Sequence, residues 1–302
     1  ISRIKIMADL DISERRTTQD GRIQLKLGNR EIDIRVSIMP TVWGENVVMR
    51  LLDKTGLMLD LNDLGLTART LSEYRELIQT SHGIILITGP TGSGKTTTLY
   101  SSLSIRNQPD VKIITIEDPV EYQIAGINQI HVNPKVGLSF AHGLRSILRQ
   151  DPDIVMVGEI RDKETAETAV QASLTGHLVF STLHTNDAPS AVTRLIDMGV
   201  EPYLITSSVV GVAAQRLVRL LCPHCKEPYE TDAEEYIERL MLDTDDIPGG
   251  SHTYYRPVGC GQCRDTGFIG RVALFELMHM TEKIKKLTLD RAASYEIKKQ
   301  AI

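Results

Sequence analysis

Eight consecutive residues, Gly89, Pro90, Thr91, Gly92, Ser93, Gly94, Lys95 and Thr96, follow the apolar run GIILIT and lead into a helical pattern beginning at Thr97. The spacing is G-x-x-x-x-G-K-[ST], with a strand before it and a helix after it, the context this spacing requires. Its chemistry is phosphate binding. Glycines let the backbone curl so that successive N–H groups face an anion. The helix N-terminus adds partial positive charge. The Lys95 ammonium reaches the β- and γ-phosphates of a nucleotide, and the Thr96 hydroxyl is a magnesium ligand. A glycine turn that happens to hold a lysine would need neither the strand nor the helix.

Such a loop needs carboxylates nearby to hold the metal and orient the attacking water. Two apolar runs end in them. IITIEDPVEY brings Glu117, Asp118 and Glu121, and DIVMVGEIRD brings Glu159. The carboxyl ends of parallel strands are where an open α/β sheet builds its site. Glu117 and Glu159 are the stronger candidates; Asp118 and Glu121 read equally well as surface turn residues. Gly158 stands where an aspartate usually serves the metal, so Glu159 serves it alone or with help. His184 closes the run LVFSTL, where it is placed to sense a γ-phosphate, while His177 opens that run and reads as structural. Arginines stabilise transition-state charge, sometimes from a neighbouring subunit. Arg35, Arg50, Arg145, Arg149 and Arg161 are candidates, although each also reads as a solvated surface group.

All four cysteines lie in two C-x2-C pairs, Cys222 with Cys225 and Cys260 with Cys263. Two knuckles of thiolates suit tetrahedral zinc. The long insert between them is explained by a helical excursion through DAEEYIERLMLD. A redox pair is the rival reading, but it needs only one such motif. A closed four-thiolate site has no open coordination position, so its role is structural; His224 is a weaker ligand candidate.

These groups imply a particular frame. Residues 1–54 alternate short apolar runs with turn signals, Asp20-Gly21 and Gly28-Asn29, and predict a small strand-rich domain. Residues 55–80 predict a linker and a leading helix capped by Thr67. Residues 81–220 alternate buried apolar runs with helical stretches, the pattern of βαβ units on a mostly parallel sheet. A tetracysteine subdomain over 221–270 and a helical segment over 271–302 complete the chain. The fold class is therefore α/β, a nucleotide-binding core on a mostly parallel sheet with a small strand-rich domain before it. Two domains suit the length of 302 residues. The charge of −5 speaks against a nucleic-acid partner, which usually meets a basic patch. No apolar run reaches the ~20 residues of a membrane span. The start at Ile1 reads as a fragment of a longer chain.

The residues together resemble the secretion ATPases of the type II secretion and type IV pilus systems. Besides the phosphate-binding loop, that family shows an aspartate box, here TIEDPVEY. It also shows a Walker B segment with glycine before the glutamate, here LRQDPDIVMVGEIRD, and a histidine box, here TGHLVFSTLHTND. The opening QDGRIQLKL…DIRVSIMPTVWGENVVMRLL is similar to the family's second amino-terminal domain. The paired cysteines, with AQRLVRLLCPHCKEPYE, point to the type II secretion branch, with the pilus-assembly branch close. The resemblance implies a RecA-like core with a small strand-rich α+β domain before it, in a homohexameric ATPase using ATP, Mg2+ and Zn2+, cytoplasmic and peripheral to the bacterial inner membrane. It implies that Arg35 and Arg50 approach the phosphates and that Arg145, Arg149 and Arg161 flank the Walker B strand. Glu117 then activates water and Glu159 is the Walker B carboxylate. Partners would be inner-membrane secretion-platform proteins, reached partly through an amino-terminal domain this chain lacks. A nucleic-acid translocase and a non-hydrolysing nucleotide switch are the competing readings.

Overall fold

The structure, a computed structural model, describes residues 1–28, 30–53, 60–229 and 253–301, with backbone alone at 27, 30, 31, 52 and 53. It divides into two units, Ile1–Met58 and Leu59–Ile302.

The first unit places helix α1 (Ser2–Met7) against strands β1 (Gln19–Leu27), β2 (Arg30–Thr41) and β3 (Gly44–Asp53). The strands form an antiparallel sheet in that order. Their alternation turns Ile23, Val36 and Ile38 inward against Ala8. Asp20-Gly21 does not make a turn, as its type suggests, but lies within β1. Gly21 is needed there for close packing, because a Cβ would meet the Ala8 carbonyl at 2.4 Å. The β1–β2 turn instead uses Gly28, at φ 61°.

The second unit opens with α2 (Ala68–Ile78), whose first turn is capped as expected by the Thr67 hydroxyl accepting from the Thr70 N–H at 3.2 Å. There follow β4 (Gly83–Thr88), α3 (Lys95–Arg106), β5 (Ile113–Glu117), β6 (Asn128–His131) and α4 (Phe140–Ile147). Next come β7 (Ile154–Val157), α5 (Lys163–Leu174), β8 (Leu178–Leu183), α6 (Pro189–Asp197) and α7 (Pro202–Ser208). The chain continues through β9 (Val209–Leu221), β10 (Glu227–Tyr229), β11 (Tyr254–Arg256), β12 (Phe268–His279), α8 (Glu282–Leu289) and α9 (Ser294–Ala301). One seven-stranded sheet runs β12-β9-β4-β8-β7-β5-β6. It is parallel throughout except for the β12–β9 pair.

The strands read as unbroken apolar runs because both faces are covered. One face sends Ile85, Ile87, Met156 and Phe180 against α2 and α3. The other sends Leu86, Ile116, Val155 and Val179 against α4 to α9. The carboxyl-terminal segment departs from the sequence expectation. Residues 271–279 are not helical but belong to β12, which pairs with β9, so the sheet is completed on both sides of the cysteine segment. β12 has a half-solvated alternation rather than a buried run, which hid it among charged residues. The expected helix over 232–243 and residues 54–59 of the linker lie outside the described residues.

Phe180 is fully buried at the centre of the sheet. Phe180→Ala should cost about 3–5 kcal/mol, read as a lower urea midpoint at unchanged slope.

Candidate functional site

Strands β4, β8, β7 and β5 are consecutive neighbours and all parallel. Their carboxyl ends therefore share one edge, and each delivers a predicted group there. β4 leads into the phosphate loop, β8 into His184 and β7 into Gly158 and Glu159, while β5 ends on Glu117.

Three loop glycines sit in the left-handed region that other residues avoid: Gly89 at φ 145°, Gly92 at 79° and Gly94 at 91°. At Gly89 a Cβ would lie 2.3 Å from the Gln215 carbonyl, and at Gly94 2.6 Å from the Gln215 side-chain amide. At Gly92 it would meet nothing within 4 Å, so the middle of the loop is open. Helix α3 starts on Gly94 with no side-chain cap, leaving its first N–H groups for an anion. The Lys95 ammonium is curled back onto the carbonyls of Gly89 at 2.8 Å and Pro90 at 3.1 Å. Burial lowers its pKa and the charge of Glu159 works the other way, which places the two groups in one field. The Ser93 hydroxyl is buried without a hydrogen-bond partner among the described residues. Pro90, Thr91 and Thr96 are exposed along this loop, and Thr97 is half-buried behind Thr96. An open glycine arc, an uncapped helix and a lysine resting on carbonyls fit a polyphosphate, with the exposed Thr96 hydroxyl free to meet its magnesium.

Glu159 is 16% exposed, paired with the Arg161 guanidinium and 3.2 Å from His184 Nε2. Burial pushes its pKa up, but the Arg161 hydrogen bond and charge, with those of His184, outweigh this and hold it below the ordinary value. Arg161 also reaches Asp118 at 3.8 Å. Gly158 has a packing reason: a Cβ there would press on the Ile116 carbonyl at 3.3 Å and Glu117 Cα at 3.4 Å. A side chain at that position would need the end of β5 to give by a few tenths of an ångström.

Glu117 is held apart from this ion-pair cluster. It is 3% exposed. One oxygen accepts from the Tyr100 hydroxyl. The other accepts from Thr115 Oγ1 at 2.6 Å and from Gln129 Nε2 at 3.2 Å. Burial, followed by the adjacent Glu117 charge, drives the Tyr100 hydroxyl far above the ordinary range. The same two causes, with Glu121, push Tyr122 up to about 12. Tyr122 stands edge-on to Tyr100 at 4.5 Å. Sequence reasoning missed Tyr100, Thr115 and Gln129. Tyr100 lies on α3 five residues past Lys95, and only the fold turns it toward β5. Gln215 was missed as well; no spacing connects it to a loop more than a hundred residues earlier.

The remaining candidates are spread out. Arg145 pairs with Glu164 at 2.5 Å, and Arg149 donates to the Arg145 carbonyl at 2.9 Å. His177 Nδ1 lies 2.9 Å from the Ala172 carbonyl, closing the turn before β8. In the first unit Arg35 is the direct cross-strand partner of Arg50, and Arg22 is that of Arg35.

The four cysteine sulfurs converge within 4.8 Å of one another, with separations of 3.9, 3.9 and 3.8 Å for three pairs. A tetrahedron with metal–sulfur bonds of about 2.3 Å has edges of about 3.8 Å. Burial raises the Cys263 pKa, but N–H groups of Cys260 and Gly267, each 3.2 Å from its sulfur, favour the thiolate and bring it to about 6. The donor set is compatible with zinc.

The field around Glu159 gives a direct test. Its folded pKa is depressed, so it stabilises the fold above the unfolded carboxylate value, and that contribution is lost as pH falls through the folded one. Arg161→Ala should move Glu159 upward, read by a carbon-13 carboxyl titration.

The whole chain, residues 1–302, matches the family described as Type II/IV secretion system protein. It is similar to the type IV pilus assembly ATPase PilB of Myxococcus xanthus, 55% identical over 302 residues, all of this chain and 53% of that protein. It is also similar to the type II secretion system ATPase E of Vibrio cholerae serotype O1, 56% identical over 299 residues, 99% of this chain and 58% of that one. The chain thus spans somewhat more than half the length of these curated relatives. Among solved structures it resembles the pilus retraction motor PilT with bound ADP, at TM-score 0.65 and 28% identity over 94% of this chain and 69% of that one. It also resembles the ATPase DotB of Yersinia pseudotuberculosis, at TM-score 0.67 and 25% identity over 99% and 74% of the two chains. A family match over the whole chain, joined to a glycine loop after β4 and a glutamate after β7 at one edge of the sheet, makes this chain a member of the Type II/IV secretion system protein family.

Proposed function

We propose that the chain is the hydrolytic part of a ring-forming motor that converts ATP and water to ADP and phosphate and so powers type II protein secretion. The observation that carries this is the open glycine loop with Lys95 after β4 and Glu159 after β7, presented at the same carboxyl-terminal edge of a parallel sheet. On this reading Lys95 leaves the Gly89 and Pro90 carbonyls for the β- and γ-phosphates. The arc from Gly89 to Thr97 binds the phosphates through its N–H groups. Thr96 and Glu159 hold the magnesium, Glu159 directly or through water. The metal supplies positive charge to the β- and γ-oxygens. Arg161 and His184 keep Glu159 ionised and oriented. Glu117 activates the attacking water after exchanging its bond from Tyr100 for one to that water.

Arg35 and Arg50, in a hexamer of copies, stabilise the charge that develops on the γ-phosphate. The four cysteines hold one structural zinc. The chain works at the cytoplasmic side of the inner membrane on secretion-platform proteins. A type IV pilus assembly motor is the second reading, favoured by the 55% identity to PilB.

Magnesium-dependent phosphate release, followed across a protein concentration series, tests the hydrolytic reading. Specific activity should rise with concentration. Lys95→Ala and Glu159→Gln should abolish it, and Arg50→Ala should lower it by about 10³-fold. ATP binding without release at any concentration would leave a nucleotide switch instead. Metal analysis should find about one zinc per chain, lost together with thermal stability in Cys222→Ser.

A further inference from the structure

Gln215 is a polar side chain 2% exposed, on β9, the neighbour of β4 on the side away from β8. The register pairs Thr88, the last residue of β4, with Ala214, so Gln215 lies one residue beyond, beside the start of the phosphate loop. Its amide makes two bonds of opposite polarity. Nε2 donates to the Ser93 carbonyl at 2.7 Å, and Oε1 accepts from Thr98 Oγ1 at 2.7 Å. A carbonyl can only accept, which fixes the orientation of the amide. Its own backbone carbonyl also crowds Gly89. One residue therefore touches the start of the loop, its end and the first turn of α3.

The consequence follows from peptide geometry. The Ser93 carbonyl and the Gly94 N–H belong to one planar trans unit and point in opposite directions. Holding the carbonyl inward aims the Gly94 N–H outward, toward the arc where an anion would sit. Gly94, at φ 91°, has no side chain to resist a flip of this unit, so the restraint must come from outside the loop. We propose that Gln215 is the positioning residue of the phosphate loop, holding the Ser93–Gly94 peptide in its phosphate-binding orientation and so setting affinity for the nucleotide's diphosphate. This rests on the nucleotide-binding reading above.

Glutamate has the shape of Gln215 but only accepts when ionised, so it keeps the Thr98 bond and turns the Ser93 bond into repulsion. Leucine loses both. The test is equilibrium binding of magnesium-ADP to the 302-residue chain, with inorganic pyrophosphate as competitor. Gln215→Glu and Gln215→Leu should weaken both ligands by a similar factor, about tenfold or more, from one to two lost bonds. Thr98→Ser, which keeps the hydroxyl, should bind as the parent does. Thr288→Val removes a buried bond to the Ile284 carbonyl on α8; it should lower Tm without changing affinity, separating general destabilisation from loop positioning. Binding by a folded Gln215→Glu within twofold of the parent overturns the inference. So does a loss for ADP that pyrophosphate does not share. If the parent chain binds neither ligand, the nucleotide-binding reading falls first and the inference with it.

Discussion

A loop that is to hold a polyphosphate must keep its backbone donors unsatisfied and still have one shape. Those demands conflict, because an unpaired N–H favours any rearrangement that pairs it. The chain meets the first demand with Gly89, Gly92 and Gly94 and an uncapped α3. The second falls to neighbours outside the loop. The Gln215 carbonyl and amide crowd Gly89 and Gly94, and the Lys95 ammonium bridges the carbonyls of Gly89 and Pro90. The lysine is therefore an internal restraint of the loop in this structure, and on the proposed reading the same charge turns to phosphate.

The sheet order decides what stands around that loop. With β8 between β4 and β7, His184 is brought between the lysine strand and the glutamate strand. Each of these strands is buried on both faces, so their ends cannot slide without moving a packed core. β9 then closes the other side of β4 and carries Gln215 to the loop before running on into Cys222. One continuous strand thus carries Gln215 against the loop and leads into the first cysteine pair.

The two glutamates have similar sequence settings and different physical ones. Glu159 sits among Arg161, His184 and, through charge, Lys95, an arrangement that favours its ionised form. Glu117 is closed inside a network of Tyr100, Thr115 and Gln129 that fills its acceptor positions. The first is held ionised by exposed partners, whereas the second is closed in by buried ones.

The local chemistry was legible in the chain itself. The loop, its flanking strand and helix, the Thr67 cap, the carboxylates at strand ends and the paired cysteines are all short-range patterns, and turn residues, caps and unbroken apolar runs encode them directly. Residues far apart in the chain met only through tertiary structure. Gln215 lies more than a hundred residues from Ser93, Tyr100 reaches Glu117 across a helix–strand interface, and β12 joins the sheet after the cysteine segment. Even Asp20-Gly21, a turn signal by type, lies within a strand, where Gly21 leaves room for the Ala8 carbonyl. Sequence spacing fixes which groups a loop or helix presents, since that depends on local dihedral angles. Which distant groups face them depends on strand order and packing, where the hydrophobic cores of the whole unit decide.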